Sequence, residues 1–109
     1  MSRRGPLDVV VAGGGVVGAA TALMLAREGL QVALVEPRQP PAWRREVRDL
    51  RVYAFAPDNA ALFADLGAWP GVLATRAQPY RRMQVWDAAG GDALAFDADS
   101  LGQPQLGWI

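Results

Sequence analysis

The sequence predicts an α/β fold that opens on a parallel βαβ unit, and three observations carry that prediction. Residues 8–12, Asp-Val-Val-Val-Ala, are dominated by β-branched valine, as expected of a strand buried on both faces of a parallel sheet. A glycine cluster, Gly13-Gly14-Gly15-Val16-Val17-Gly18, follows at once and leads into good helix formers through Glu28. Residues 31–36 then return to strand character with Val32, Leu34 and Val35. Two strands separated by a helix are joined by a right-handed crossover, not a hairpin turn.

Each element has its own signal. Gly29 stands just past the first helix, where a left-handed C-terminal residue is wanted. Residues 37–50 carry Pro37, Pro40 and Pro41, then Arg44-Arg45-Glu46 and Arg48-Asp49, which reads as a polar excursion over the surface with no regular helix. Arg51 to Phe55 reads as a short extended piece. Pro57 and Asp58 suit a helix start, Leu62, Phe63 and Leu66 form its apolar face, and Gly67 lies near its end. Pro70 to Thr75 adds a short helical turn. Arg82 to Asp87 and Ala93 to Asp97 flank Ala88-Ala89-Gly90-Gly91 and read as a β-hairpin. The ordering is thus a βαβ core over about residues 7–36, a loop over 37–50, a helix over about 57–67 and a hairpin over about 82–97, with no internal repeat.

Composition narrows the chemistry. A chain of 109 residues, 51% of them hydrophobic, has the length and the apolar content for one small domain. Eleven acidic and eleven basic residues cancel, so there is no electrostatic case for a nucleic-acid partner. All the basic residues are arginine. Cysteine and histidine are both absent, which removes disulfides, thiolate nucleophiles, the commonest metal ligands and the commonest general base. No metal site and no catalytic acid or base is expected, so any reaction here is carried by a cofactor. The uncharged stretch Val9 to Ala26 behind Arg3-Arg4 superficially resembles a signal peptide or a short membrane span. Four interrupting glycines, a change of periodicity partway and continuation through Arg27-Glu28 without a cleavage site argue against both.

The glycine cluster carries the function. A lone GxGxxG is weak, but Gly13, Gly15, Gly18, Ala22, Leu25, Gly29, Val32 and Glu36 together follow the whole Rossmann fingerprint. Gly13 permits a sharp exit from the strand, and Gly15 lacks a Cβ that would block a pyrophosphate. Gly18 and Ala22 let the helix pack closely on the sheet. The phosphates then meet free N–H groups at the positive end of the helix dipole. Glu36 ends the second strand, where its carboxylate can accept from the ribose hydroxyls of an unphosphorylated adenosine, which favours FAD or NAD over NADP. The candidate cofactor-binding set is Gly13, Gly14, Gly15, Val16, Val17 and Gly18 with Glu36, Pro37 and Arg38. Arg38 either flanks the adenosine or is a solvated loop arginine.

The loop alone does not choose between FAD and NAD; the next segment favours FAD. Residues 49–69, with Arg51, a small–aromatic pattern and a helix closing on Leu66-Gly67-Ala68-Trp69, resemble the ubiquinone-biosynthesis hydroxylases, a branch of the group A FAD-dependent aromatic monooxygenases. Met83-Gln84-Val85-Trp86-Asp87, Phe96-Asp97 and Gly102-Gln103-Pro104-Gln105-Leu106-Gly107-Trp108-Ile109 extend the resemblance over almost the whole chain. It implies an FAD-binding unit of the glutathione-reductase type, incomplete here. It also implies that Arg51 lies beside the ribityl and phosphate part of the flavin; the plainer alternative is a surface arginine paired with Asp49. Further implications are NAD(P)H as electron donor, oxygen and a lipophilic polyprenylated phenol or quinol as substrates, and a cytoplasmic protein, without a transmembrane segment, that works at the inner membrane face.

The family's chains are several times longer, and the substrate domain and later FAD motifs have no counterpart in these residues. The chain is therefore expected to be the N-terminal part of such an enzyme, inactive alone, with an open sheet edge and an uncovered apolar face. Three alternatives stay open: an amine or amino-acid oxidase fragment, an NAD-dependent dehydrogenase, whose second helix the proline-rich 37–50 stretch does not suit, and a non-catalytic nucleotide-binding remnant.

Overall fold

The computed structural model describes residues 5–109, so Arg3-Arg4 and the reading attached to them lie outside the described residues. Contacts within the chain group it into two compact units, Met1–Arg44 and Arg45–Ile109, which divide inside the proline-rich polar stretch. The sequence predicts one small domain. Residues 37–54 form neither helix nor strand, so the chain has no regular element there to carry packing across.

The first unit is a βαβ. Strand β1 (Val9–Ala12) is followed by helix α1 (Val16–Arg27) and strand β2 (Val32–Val35). The strands pair in parallel with Val9 beside Val32 and Ala12 beside Val35. Beyond the ladder, Asp8 N–H donates to the Gln31 carbonyl at 2.9 Å, and the Asp8 carboxylate accepts the Gln31 N–H at 2.7 Å. Both bonds tie down the amino end of the short pair. Gly29, at φ +88°, ends α1: its N–H reaches the Ala26 carbonyl, and the Leu30 N–H reaches back to Leu25.

Burial on both faces of β1 is not what the structure shows. Val9 and Val11 are half-buried, whereas Val10 is 60% and Val35 54% exposed. The pleat explains the split. Successive side chains alternate in face, and α1 covers the Val11 side while the Val10 side lies open. Helix α1 is 12 residues long, and among the described residues no helix is long and apolar enough to cross a membrane.

The second unit begins from helix α2 (Pro57–Asp65), which has proline at its first position, and helix α3 (Trp69–Leu73). Ala60 is buried, and Leu62, Phe63 and Leu66 are half-buried along one face of the α2 segment. Strands β3 (Pro79–Tyr80), β4 (Arg82–Val85), β5 (Leu94–Asp97) and β6 (Gly107–Trp108) follow, with a 3₁₀ turn at Asp99–Leu101 before β6. The hairpin is the β4–β5 pair, antiparallel with Arg82 opposite Asp97 and Val85 opposite Leu94. Its strands are shorter than read from the sequence, because the connection takes residues 86–93. β3 pairs antiparallel with β6, and Phe55 makes an isolated bridge to Trp108. The extended piece at 51–55 is therefore reduced to that one bridge.

Aromatic contacts hold this unit. Phe55 stacks with Tyr53 at 6.0 Å between ring centroids and meets Phe63 edge-on at 5.0 Å. Trp69 meets Trp108 edge-on at 5.0 Å. Gly107 is buried, and a Cβ there would collide with the Phe55 carbonyl, so the close approach of the two backbones requires glycine.

Candidate functional site

The site is assembled at the carboxyl ends of β1 and β2. Gly13 leaves β1 at φ +103°, a conformation open to glycine and strained for other residues. Its N–H still donates to the Val35 carbonyl at 2.8 Å, so the chain turns away only after one more sheet bond. Gly18 lies under this turn. A Cβ at Gly18 would run into the Gly13 carbonyl and sit 3.6 Å from a Val11 methyl, so the helix reaches the strand only because Gly18 has none. Ala22, one turn on, is buried on the same face.

The donors of the loop divide into two groups. Gly13 and Gly14 spend their N–H groups inside the protein, on the Val35 carbonyl and on the Glu36 carboxylate. The next four, on Gly15, Val16, Val17 and Gly18, precede the first helical bond, which runs from the Ala19 N–H to the Gly15 carbonyl at 2.8 Å. These are the donors that an α-helix leaves without partners at its start. No acidic side chain occupies the first turn, and Gly15 gives no side-chain cap. A Cβ built on Gly15 would meet nothing within 4 Å, so the approach to these donors is open. The arrangement suits a phosphate oxyanion.

Glu36 stands beside the loop. Its Oε2 accepts the Gly14 N–H at 2.7 Å, and its Oε1 accepts the Arg38 N–H at 3.0 Å. These two bonds, that from Gly14 foremost, hold the carboxyl below its ordinary value, so it is ionised at neutral pH. Pro37 joins Glu36 to Arg38 and lets the chain fold back so that the Arg38 amide reaches the carboxylate.

The structure therefore brings Gly13 to Gly18, Glu36, Pro37 and Arg38 together in the first unit. Arg51 belongs to the second. There its guanidinium takes both oxygens of Asp49, Nε to Oδ1 at 3.3 Å and Nη2 to Oδ2 at 2.9 Å, and its N–H adds a bond to Oδ1 at 2.9 Å. This is the pairing the plainer sequence reading names. It holds the Asp49 carboxyl at about 2, through the Arg51 side chain first and the Arg51 N–H second. Both side chains are exposed, so the pair adds little to stability.

One relationship has no sequence signal. Gly14 occupies the unspecified position of GxGxxG, and its bond to Glu36 joins residues 22 apart.

Comparison with known proteins finds a family model and several relatives. A family model described as FAD dependent oxidoreductase matches residues 8–88. The chain is 41% identical to the ubiquinone biosynthesis monooxygenase COQ6, mitochondrial, of Xenopus tropicalis, over all of this chain and 25% of that protein. It is 35% identical to the 3-demethoxyubiquinol 3-hydroxylase of Escherichia coli (strain K12), over 95% of this chain and 27% of that enzyme. Human COQ6 is 38% identical over 94% of this chain and 23% of its own length. The chain spans about a quarter of the length of these curated relatives.

Proposed function

The chain belongs to the FAD dependent oxidoreductase family, and on that premise we propose that it is the FAD-binding part of a monooxygenase that hydroxylates a polyprenylated phenol or quinol in ubiquinone biosynthesis. The observation that carries the cofactor reading is the open run of donors from Gly15 to Gly18 beside the ionised Glu36. The run offers N–H groups to a pyrophosphate at a helix N-terminus, and the carboxylate offers acceptors to ribose hydroxyls. A 2′-phosphate would bring negative charge towards Glu36, so the pocket suits FAD and disfavours an NADP-type adenosine. The parallel βαβ with its glycine turn supports reading the chain as part of a Rossmann-type FAD unit of the glutathione-reductase class.

The reaction type rests on the named relatives, which are monooxygenases or a hydroxylase of this pathway. They favour hydroxylation over the amine or amino-acid oxidase alternative. Bound FAD supplies the redox chemistry of oxygen activation, with NAD(P)H as the reductant. This chain's own residues bind and orient it: Gly13 turns the backbone, Gly15 to Gly18 hold the phosphates, Glu36 holds the ribose, and Arg38 flanks the adenosine. Arg51 pairs with Asp49 in the second unit and is not counted in this set. A polyprenylated substrate resides in a membrane, so the complete enzyme works at a membrane surface.

A chimera tests this reading. Residues 1–109 replace the matching part of the Escherichia coli 3-demethoxyubiquinol 3-hydroxylase, with circular dichroism and a cooperative thermal transition as the folding control. Hydroxylation of the demethoxyquinol by the FAD-loaded chimera supports the assignment. A stably folded chimera devoid of FAD contradicts it.

A further inference from the structure

We propose that Glu36 is a positioning residue for the glycine loop as well as a ribose acceptor, and that it is the reason residue 14 must be glycine. The proposal deepens the FAD reading and rests on it only for the ligand used in one arm of the test.

Two independent observations meet at this pair. The first is the hydrogen bonding. Oε2 of Glu36 holds the Gly14 N–H at 2.7 Å and Oε1 holds the Arg38 N–H at 3.0 Å, so one carboxylate ties the glycine turn to the chain leaving β2. A carboxylate has about four acceptor sites, so those not used by the two amides stay available to ribose hydroxyls. Ribose binding then adds to the existing bonds and does not replace them. The bond also takes the Gly14 N–H out of the anion-binding set and confines the phosphate to Gly15 to Gly18.

The second observation is steric. Gly14 is not among the glycines with positive φ, so its backbone conformation does not demand glycine. A Cβ added at Gly14 would nevertheless lie 2.9 Å from the Glu36 Cβ, 3.1 Å from its Cγ and 3.3 Å from Oε2. All three nearest atoms belong to one side chain. Any residue other than glycine at position 14 must push Glu36 aside, and with it both hydrogen bonds. Gly15 and Gly14 are thus glycine for different reasons: one leaves room for ligand, the other for Glu36.

The test needs no ligand in its first arm. Amide proton shifts of Gly14 and Arg38 are followed by NMR as pH falls from neutral through the carboxylate range, in the unsubstituted protein and in Glu36→Gln. Both amides should move together with one midpoint below the ordinary glutamate value, and neither should do so in Glu36→Gln. A Gly14 amide that stays put while Arg38 titrates overturns the proposal. The second arm is a cycle of Gly14→Ala, Glu36→Gly and the double variant, read by ADP affinity. Gly14→Ala should cost roughly tenfold with Glu36 present and under about threefold in the Glu36→Gly background. Equal losses in the two backgrounds overturn the steric claim. If the unsubstituted protein binds neither ADP nor FAD, the cofactor reading fails, while the amide titration still decides whether Glu36 positions the loop.

Discussion

The Glu36 carboxylate accepts the Gly14 N–H at 2.7 Å, which locks the end of the second strand to the turn that leaves the first. The bond places an ionised acceptor beside four unspent donors, from Gly15 to Gly18. Four free donors and an ionised acceptor thus lie within one βαβ unit.

Glu36→Ala should weaken ADP and FAD binding by about 10- to 100-fold, the scale of hydrogen bonds to a charged group. Discrimination against a 2′-phosphorylated adenosine should shrink in the same variant, since the repelling carboxylate is gone. Calorimetric titration with ADP and with its 2′-phosphorylated counterpart measures both. An unchanged ratio of affinities would argue that Glu36 does not face the ribose.

Two glycines of the loop should behave in opposite ways. Gly18→Ala places a Cβ on the Gly13 carbonyl and should cost about 1–3 kcal/mol of stability, as overpacking does. Gly15→Ala meets open space and should leave the thermal midpoint nearly unchanged while lowering FAD affinity. Thermal unfolding and FAD titration of the two variants separate packing from ligand approach.

Asp49 should titrate with a midpoint at about 2, well under its ordinary 3.8. A carboxyl lowered in the folded protein contributes stability that is complete above its unfolded value and is lost as pH falls through the folded one. The Asp49–Arg51 contribution should therefore be whole above pH 3.8 and fade towards pH 2. Arg51→Gln should return the Asp49 midpoint most of the way to 3.8, as followed by carboxyl carbon shifts.

Gly107→Ala should break the Phe55–Trp108 bridge, because its Cβ has no room beside the Phe55 carbonyl. Faster hydrogen exchange at the Phe55 and Trp108 amides, whose bonds measure 2.8 and 2.9 Å, would show it. Amides of the first unit should keep their protection.

How much of this is legible in the sequence depends on how local each signal is. Valine-rich strands around a glycine turn announce the βαβ, because strand, turn and helix start are each written in adjacent residues. Gly29 and Gly67, both at positive φ, mark helix ends for the same reason. The β3–β6 pair has no such signal, since two-residue strands carry no alternation. The Phe55–Trp108 bridge and the Gly14–Glu36 bond are contacts between distant residues, invisible to any window. Valine content suggests burial of β1 on both faces, but it does not say what stands opposite. Arg51 shows the same limit: the residues name its two candidate partners, and the structure shows the pairing with Asp49.

Whether this chain cradles FAD on Gly15 to Gly18 and Glu36 is decided by equilibrium binding of FAD to the purified 109-residue protein, read by flavin fluorescence with ADP as competitor. Saturable binding that ADP displaces, and that Glu36→Ala and Gly15→Ala each weaken without unfolding the protein, is the predicted result. Absence of saturable binding by a folded protein, or binding indifferent to both substitutions, would contradict it.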